Sequence, residues 1–312
     1  MGIKNLNKII GEVYTTGVSI SSLGITTVYI DALGYMYRYK AVSGQRFSHL
    51  MRQMLVSLIN YEINVVMVFD GSSPPEKIDT RKSRVDKRDK QKSKSGAVRT
   101  AIENYQNSTA SDEEIQLLQT LTASETGENE RLLITQLIPE ENVIDLRKCA
   151  KKLDRMDNNS VEISAQDTEM VHCICEEFGI ECITSAGEAE KDCVELSVKM
   201  PNSAVISADT DVLAYNIPEV LVISKYTSSG VSTVIRKSEV LTHLGLTVEQ
   251  FTDLCILLGT DYNTTIPKVG VKTALKYILK YKSIEEICTS VNLNPENLKF
   301  IRCRELFDIS GL

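Results

Sequence analysis

The 312-residue sequence predicts an α/β fold built on a mostly parallel, twisted sheet flanked by helices. Three short β-branched runs carry that expectation: Ile25 to Asp31, Asn64 to Asp70 and Ser203 to Asp209, each finishing on an aspartate. Apolar runs of this kind, without polar alternation, read as strands covered on both faces, as parallel sheets are. Stretches with helical spacing separate them, supplying the crossovers that parallel strands need.

The elements follow in order. A short helix opens the chain, then come the strand to Asp31, a helix, and a second helix from Phe47 to Asn60. The latter sets Phe47, Leu50, Met51, Met54, Leu55, Leu58 and Ile59 on one stripe. After the strand to Asp70, Gly71-Ser-Ser-Pro-Pro75 breaks the pattern. From Glu76 to Asn159 the composition turns polar, basic at first and then acidic and Ser/Thr-rich from Ser111 to Glu130. This reads as an insertion, helical in parts and mobile in others. Regular structure resumes with a helix from Ala165 to Phe178 and a strand from Glu181 to Thr184. Ser185-Ala-Gly-Glu188 then opens a helix with a capping-box pattern. The strand to Asp209 follows, with further strands at Val220 to Ser224 and Ser232 to Arg236. Helices at Val248 to Leu258 and Val271 to Lys280 flank a turn through Thr260 to Gly270. The expected division is 1–75 and 161–245 as two parts of one core, 76–160 as the insertion, and 246–312 as a helical region.

Composition narrows the options. No apolar stretch approaches a membrane span, and the N-terminus lacks a signal-peptide core, so an intracellular protein without a membrane partner is expected. Gly2 hints at myristoylation, but Leu6 stands where that motif needs Ser or Thr. The eight cysteines lack zinc spacing and read as reduced, buried thiols. His49, His172 and His243 sit in helical stretches and read as structural. The net charge of −7 is unevenly spread: ten Lys or Arg against three Asp between Lys77 and Arg99 leave −14 on the remainder. One face can therefore attract a polyanion while another holds cations.

Asp31, Asp70, Glu188, Glu190, Asp209, Asp211 and Asp261 all fall where apolar runs stop. In an open parallel sheet, ligands collect outside the carboxyl ends of the strands. Carboxylates gathered there repel unless divalent cations offset them, which points to a metal site. Each acid alone has a plainer explanation: Asp209 can cap the next helix, and Glu188 can close the box with Ser185. Seven at element ends are harder to explain as caps. Gly270 followed by Val271, Lys272 and Thr273 at a helix start offers free amides and a lysine to a phosphate, although such a segment by itself is more often an ordinary helix hairpin.

Several motifs together carry a resemblance. Met1-Gly-Ile-Lys-Asn-Leu, Tyr29-Ile-Asp-Ala, Val68-Phe-Asp-Gly-Ser-Ser-Pro-Pro, Gly187-Glu-Ala-Glu, Ser207-Ala-Asp-Thr-Asp and Asp253-Leu-Cys-Ile-Leu-Leu-Gly-Thr-Asp-Tyr occur in one order. In that order they resemble the flap endonuclease/XPG family of structure-specific 5′ nucleases, over roughly 1–85 and 160–305. The resemblance implies a PIN-like nuclease core, a helical arch in the insertion and a C-terminal helix-turn-helix-type duplex-binding element. It further implies an Mg²⁺-dependent nuclease, with Mn²⁺ able to substitute, acting on branched or 5′-flap DNA in replication, repair or recombination. The seven carboxylates match the family's metal-binding set, expected to hold two Mg²⁺, with Asp261 acting through water. Lys77 and Arg84 match its arch-base cations, which draw the scissile phosphate inward. Tyr37 matches an aromatic that stacks on the neighbouring base. Thr265 and Ile266 fall in its potassium-binding turn. On the same resemblance, Gly2, Arg81, Lys82, Lys268, Gly270, Val271, Lys272 and Thr273 are assigned to DNA contact.

Departures from the family pattern shape the remaining expectations. Lys268 and Val271 replace the usual Gly and Pro of the turn, which bears on K⁺ binding there. The sequence stops shortly after Pro295-Glu-Asn-Leu, so a compact, monomeric, divergent member without a sliding-clamp-binding tail is expected. Such a form would suit a large DNA virus, working in the nucleus or at a viral replication site. A Holliday-junction resolvase or 5′-3′ exonuclease of the same family stays open. Outside that class stand a non-catalytic junction-binding protein and a haloacid-dehalogenase-type phosphatase, the latter disfavoured by Leu213 two places after Asp211.

Overall fold

The computed structural model describes residues 2–123 and 144–309. The chain forms two compact units, one of Met1–Tyr39, Gln45–Thr80 and Ile163–Leu312, the other of Lys40–Gly44 and Arg81–Glu162.

The first unit is built on a seven-stranded sheet of order β1-β7-β6-β5-β2-β3-β4 among the described residues. Its strands are β1 Thr15–Ser19, β2 Thr27–Asp31, β3 Asn64–Phe69, β4 Glu181–Thr184, β5 Ser203–Ile206, β6 Leu221–Tyr226 and β7 Val231–Arg236. Strands β4, β3, β2, β5 and β6 run parallel, and β7 is antiparallel to both β6 and β1. Alternate side chains of the central strands enter opposite cores. Tyr29, Val66, Val68, Val205 and Val222 face one, while Val28, Ile30, Val65, Met67, Ala204 and Ile206 face the other. The β-branched runs are thus covered on both sides, the α/β architecture of a PIN-like nuclease core. From β2 the chain goes to β3 on one side, whereas β5 pairs on the other. That reversal opens a crevice at the carboxyl ends of β2 and β5.

Several expectations need correction. β1 was not foreseen: Thr-Thr-Gly-Val-Ser is an exposed edge strand whose pairing comes from β7, not from its own pattern. β5 ends at Ile206, so Asp209 lies in the loop beyond it, capping a turn of 3-10 helix, Thr210–Leu213. Glu188 is not the third residue of a capping box; its backbone is itself the N-cap of the helix Ala189–Lys199, without a side-chain cap bond. Asp70 supplies that cap from a distance, accepting from the Ala189 amide at 2.8 Å. True capping boxes stand at Ser164/Asp167 and Thr247/Gln250. The cysteines are free as expected, but Cys173 is exposed and Cys182 and Cys288 are half-buried. His172 stacks on Phe69 with centroids 4.0 Å apart, a structural role.

Ile78–Gln106 is one 29-residue helix, in the second unit from Arg81 onward, and it buries only Ser95, Val98 and Ala101. Ala101 meets Leu118 of the helix Asp112–Ala123 and Cys149 of the helix Leu146–Asn158 in a small core. Arg99 pairs with Asp157 at 2.7 Å. The rest of the acidic, Ser/Thr-rich stretch, from residue 124, lies outside the described residues, and the expectation of mobile parts in the insertion falls there with it.

The last third of the first unit is helical, and it extends past the expected pair with Ile284–Val291 and Phe300–Phe307. Arg304 pins this end with two 2.7 Å bonds to buried Asp253, whose Oδ2 also accepts from the Ile284 amide at 3.1 Å. Between the helices Val248–Leu258 and Val271–Tyr281, Lys268 holds φ of +68°, a left-handed backbone that suits glycine. Lys237 is fully buried, donating to the Tyr215 carbonyl and lying 5.6 Å from the centre of the Phe251 ring. Burial pushes its ammonium down to about 7.

Two stability measurements follow. Lys268→Gly should raise stability in urea by about 1 kcal/mol, since glycine carries no steric cost in that conformation. Lys237→Met should stabilise at pH 7 by roughly 1–4 kcal/mol. The depressed pKa means the fold prefers the neutral amine. The penalty is therefore absent above the unfolded lysine pKa of about 10.4 and grows as pH falls toward 7. The advantage of Lys237→Met in melting temperature should accordingly shrink as pH rises through that window.

Candidate metal centre and nucleic-acid interface

The carboxyl ends of the strands assemble one acidic site within the first unit. Asp31 closes β2, and its carboxylate accepts from the Gly34 amide at 3.1 Å and from Ser207 Oγ at 3.0 Å. A Cβ on Gly34 would collide with that carboxylate, so only glycine lets the following helix start so close. Ser207 also accepts from the Asp209 amide at 3.0 Å, and Asp209 Oδ1 accepts from the Asp211 amide at 3.0 Å. This chain of bonds spans the crevice between β2 and β5. Beyond β3, the Gly71 amide donates to the Gly187 carbonyl at 2.9 Å, and a Cβ on Gly71 would strike the Ser185 carbonyl. That approach brings Asp70 to the first amide of the helix bearing Glu190, where the helix dipole favours a carboxylate.

Lys77 sits in the middle. It ends the short turn Pro75–Lys77, is 9% exposed, and puts Nζ 2.7 Å from Glu188 Oε1 and 3.6 Å from Asp261 Oδ2. Tyr262 donates its hydroxyl to Glu188 Oε2, and the ammonium lies 5.2 Å from the centre of the Tyr262 ring. Thr80 Oγ1 donates to the Asp261 carbonyl at 2.8 Å, tying the two segments together. Burial alone would lower the lysine, but the charges of Glu190, Glu188 and Asp261 outweigh it and hold the ammonium above the ordinary range.

The acids respond in the opposite sense. Burial, then the charges of Asp70 and Asp209, push Asp31 up to about 6 against its hydrogen bonds. Glu190 is raised well above the usual range by burial and by Asp209 and Asp31. Asp209 is raised by burial, and Asp211, 2% exposed, is raised well above by burial, Asp209 and Asp261. Both carboxylate oxygens of Asp211 are buried without a hydrogen-bond partner. An all-oxygen donor set with an orphaned, buried carboxylate is the chemistry that hard divalent cations take. Among the described residues, no three acidic, histidine or cysteine side chains already stand as a coordination shell. The acids surround an ammonium instead.

The other expected residues are placed as follows. Gly2 lies against Asp209 and Thr210, whose Oγ1 accepts from the Ile3 amide at 2.9 Å. Tyr37 is half-buried on the helix Ala32–Ser43 that follows Asp31. Lys268, Gly270 and Lys272 are exposed, Val271 and Thr273 partly so, and Gly270 is the N-cap of the helix Val271–Tyr281. Thr265 is half-buried and Ile266 buried in the preceding loop. Arg81, Lys82 and Arg84 are exposed on Ile78–Gln106 in the second unit. Ser207 and Tyr262 were missed as site residues. Both stand inside quoted motifs, Ser-Ala-Asp-Thr-Asp and Thr-Asp-Tyr, but a hydroxyl beside an acid is too common a pairing to single out.

Known proteins resemble the chain over most of its length. Residues 1–91 match the XPG N-terminal domain and residues 179–261 the XPG I-region. The chain is 32% identical to the probable RAD2-like endonuclease 076L of Invertebrate iridescent virus 3, over 92% of this chain and 81% of that protein. It is 28% identical to flap endonuclease 1 of Cryptosporidium muris, over 98% of this chain but 62% of that protein. Among solved structures, the catalytic core of Rad2 in complex with DNA substrate is similar with a TM-score of 0.61 at 18% identity. That match covers 96% of this chain and 75% of that one, and it bears on the fold.

The raised Asp31 gives a signed pH dependence. Its pKa is higher in the fold than in the unfolded chain, so its contribution is intact below about 4 and is lost as pH rises through about 6. In EDTA, Asp31→Asn should therefore gain stability relative to the parent chain across that window. The gain should be on the order of 2 kcal/mol at pH 8 and should fade by pH 4, read from urea denaturation.

Proposed function

We propose, from the premise that this chain belongs to the XPG family of structure-specific nucleases, that it cleaves branched or 5′-flap DNA with Mg²⁺ held by its seven clustered acids. The chain is a hydrolytic nuclease by family; its substrate geometry, its metal and the role of each residue are the proposal. The observation that carries it is Asp211, buried with both oxygens unpartnered and under the charges of Asp209, Asp261 and Glu188.

Asp31, Asp70, Glu188, Glu190, Asp209 and Asp211 would hold two Mg²⁺, with Asp261 one water further out. When bound, the ions supply Lewis-acid activation of a water and stabilise the leaving oxygen. The protein's own residues do the remaining work. Ser207 and the Gly34 amide fix the Asp31 carboxylate, and Tyr262 fixes Glu188, so the donors keep one orientation. Lys77 and Arg84 would pull the scissile phosphate inward and offset charge in the transition state. Tyr37 would stack on the adjacent unpaired base. The amides at Gly270, Val271 and Thr273, with Lys268 and Lys272, would grip duplex backbone without reading sequence, so that selectivity comes from junction shape. K⁺ at Thr265 and Ile266 would brace that turn. Gly2, packed against the Asp209 loop, would bring the N-terminal segment to the same strand.

A panel of flap, nick, gap, four-way and blunt DNA tests this reading in Mg²⁺. The 5′-flap substrate should be cleaved fastest, and Asp209→Ala should lower cleavage by at least roughly a hundredfold, as loss of a principal charge-stabilising group does. Retained cleavage by Asp209→Ala would reject the metal assignment. A preference for the four-way or blunt substrate would make the enzyme a resolvase or an exonuclease instead.

A further inference from the structure

The seat of Lys77 is built rather than incidental. Pro74 and Pro75 stiffen the backbone leading into the turn that the lysine ends, and its amide donates to the Pro74 carbonyl at 3.1 Å. On one side, Glu76 accepts from Arg302 at 2.7 Å; on the other, Thr80 bonds the Asp261 carbonyl. The ammonium lands where three buried groups meet: Glu188 at 8% exposure, Asp261 at 8% and the Tyr262 ring at 4%. Tyr262 takes the second oxygen of Glu188, so that carboxylate is fully engaged. Glu190, Asp209 and Asp211 lie close enough for their charges to act on the same ammonium.

We infer that Lys77 is the resident counter-ion of this centre and competes with divalent cations for the oxygens of Glu188 and Asp261. The inference rests on the metal centre proposed above and adds to it an order of events. An ion entering the site meets carboxylates already bonded to an ammonium, and it takes Glu188 only when Lys77 lets go. Lys77, released, is a cation without its carboxylates and is free to meet a phosphodiester. Ion loading and grip on the substrate are then linked through one side chain: a phosphate that engages Lys77 removes the competitor, so DNA and divalent ions each tighten the binding of the other. The same lysine keeps the acidic cluster folded while no ion is present.

The test measures ion binding directly. Mg²⁺ is titrated by calorimetry into the metal-stripped full chain without DNA, at fixed pH and ionic strength, alongside Lys77→Gln and Lys77→Arg. Melting temperature is followed against Mg²⁺ concentration for all three. Lys77→Gln should bind Mg²⁺ at least roughly tenfold tighter than the parent chain, and Lys77→Arg, which keeps the charge, should stay near the parent value. In EDTA, Lys77→Gln should melt below the parent chain and gain more from Mg²⁺ than the parent gains. That differential gain reads the competition even where the stripped variant is only marginally folded. Equal or weaker Mg²⁺ binding by Lys77→Gln, with an equal or smaller gain in melting temperature, overturns the competition and leaves the metal centre standing. Absence of Mg²⁺ uptake by all three chains overturns the metal centre itself.

Discussion

The Lys77 ammonium, 2.7 Å from Glu188 and 3.6 Å from Asp261, answers the problem that the sheet creates. A parallel sheet delivers the carboxyl ends of several strands to one place, and here each delivers an acid. Gathering them raises Asp31, Glu190, Asp209 and Asp211 together. Such a cluster folds only with positive charge among it or protons on it. The rest of the site follows from that need, including the prolines before Lys77, the tie from Thr80 and the hydroxyl of Tyr262 on Glu188.

Ser207 and Asp70 hold the cluster's geometry by ordinary means. Ser207 bridges the exits of β2 and β5, and Asp70 caps a helix to which it is not adjacent in sequence. Asp31, Asp70 and Asp209 therefore each have a local bonding role as well as a place in the site. A capping explanation and a metal-site explanation are not rivals at Asp209, which caps the turn and lies among the other acids.

The sheet was legible because β2, β3 and β5 are buried on both faces and carry the β-branched runs that such burial demands. Both helices around the Asp261 turn were legible from spacing, and the acids from their position at run ends. What failed had a different physical origin. β1 is specified by its partner, and Thr-Thr-Gly-Val-Ser has no pattern of its own. The helix Ile78–Gln106 buries three small or medium side chains in 29 residues, too few for a stripe to stand out from a charged stretch. Ser185-Ala-Gly-Glu188 satisfies the capping-box pattern, yet the helix starts at Ala189, three residues later than that box would place it, and Asp70 accepts from the Ala189 amide. The place of Lys77 depends on four separate segments, and no window of sequence contains that information.

Phe307 gives the C-terminal helix a reach beyond its own packing. Its ring meets Tyr215 edge-on at 5.5 Å and Tyr262 at 5.4 Å, and its carbonyl accepts from the Asn216 amide at 2.8 Å. Tyr262 in turn holds Glu188. The last turn of this helix is therefore a buttress for a carboxylate more than a hundred residues earlier, and whatever leans on the helix leans on that carboxylate.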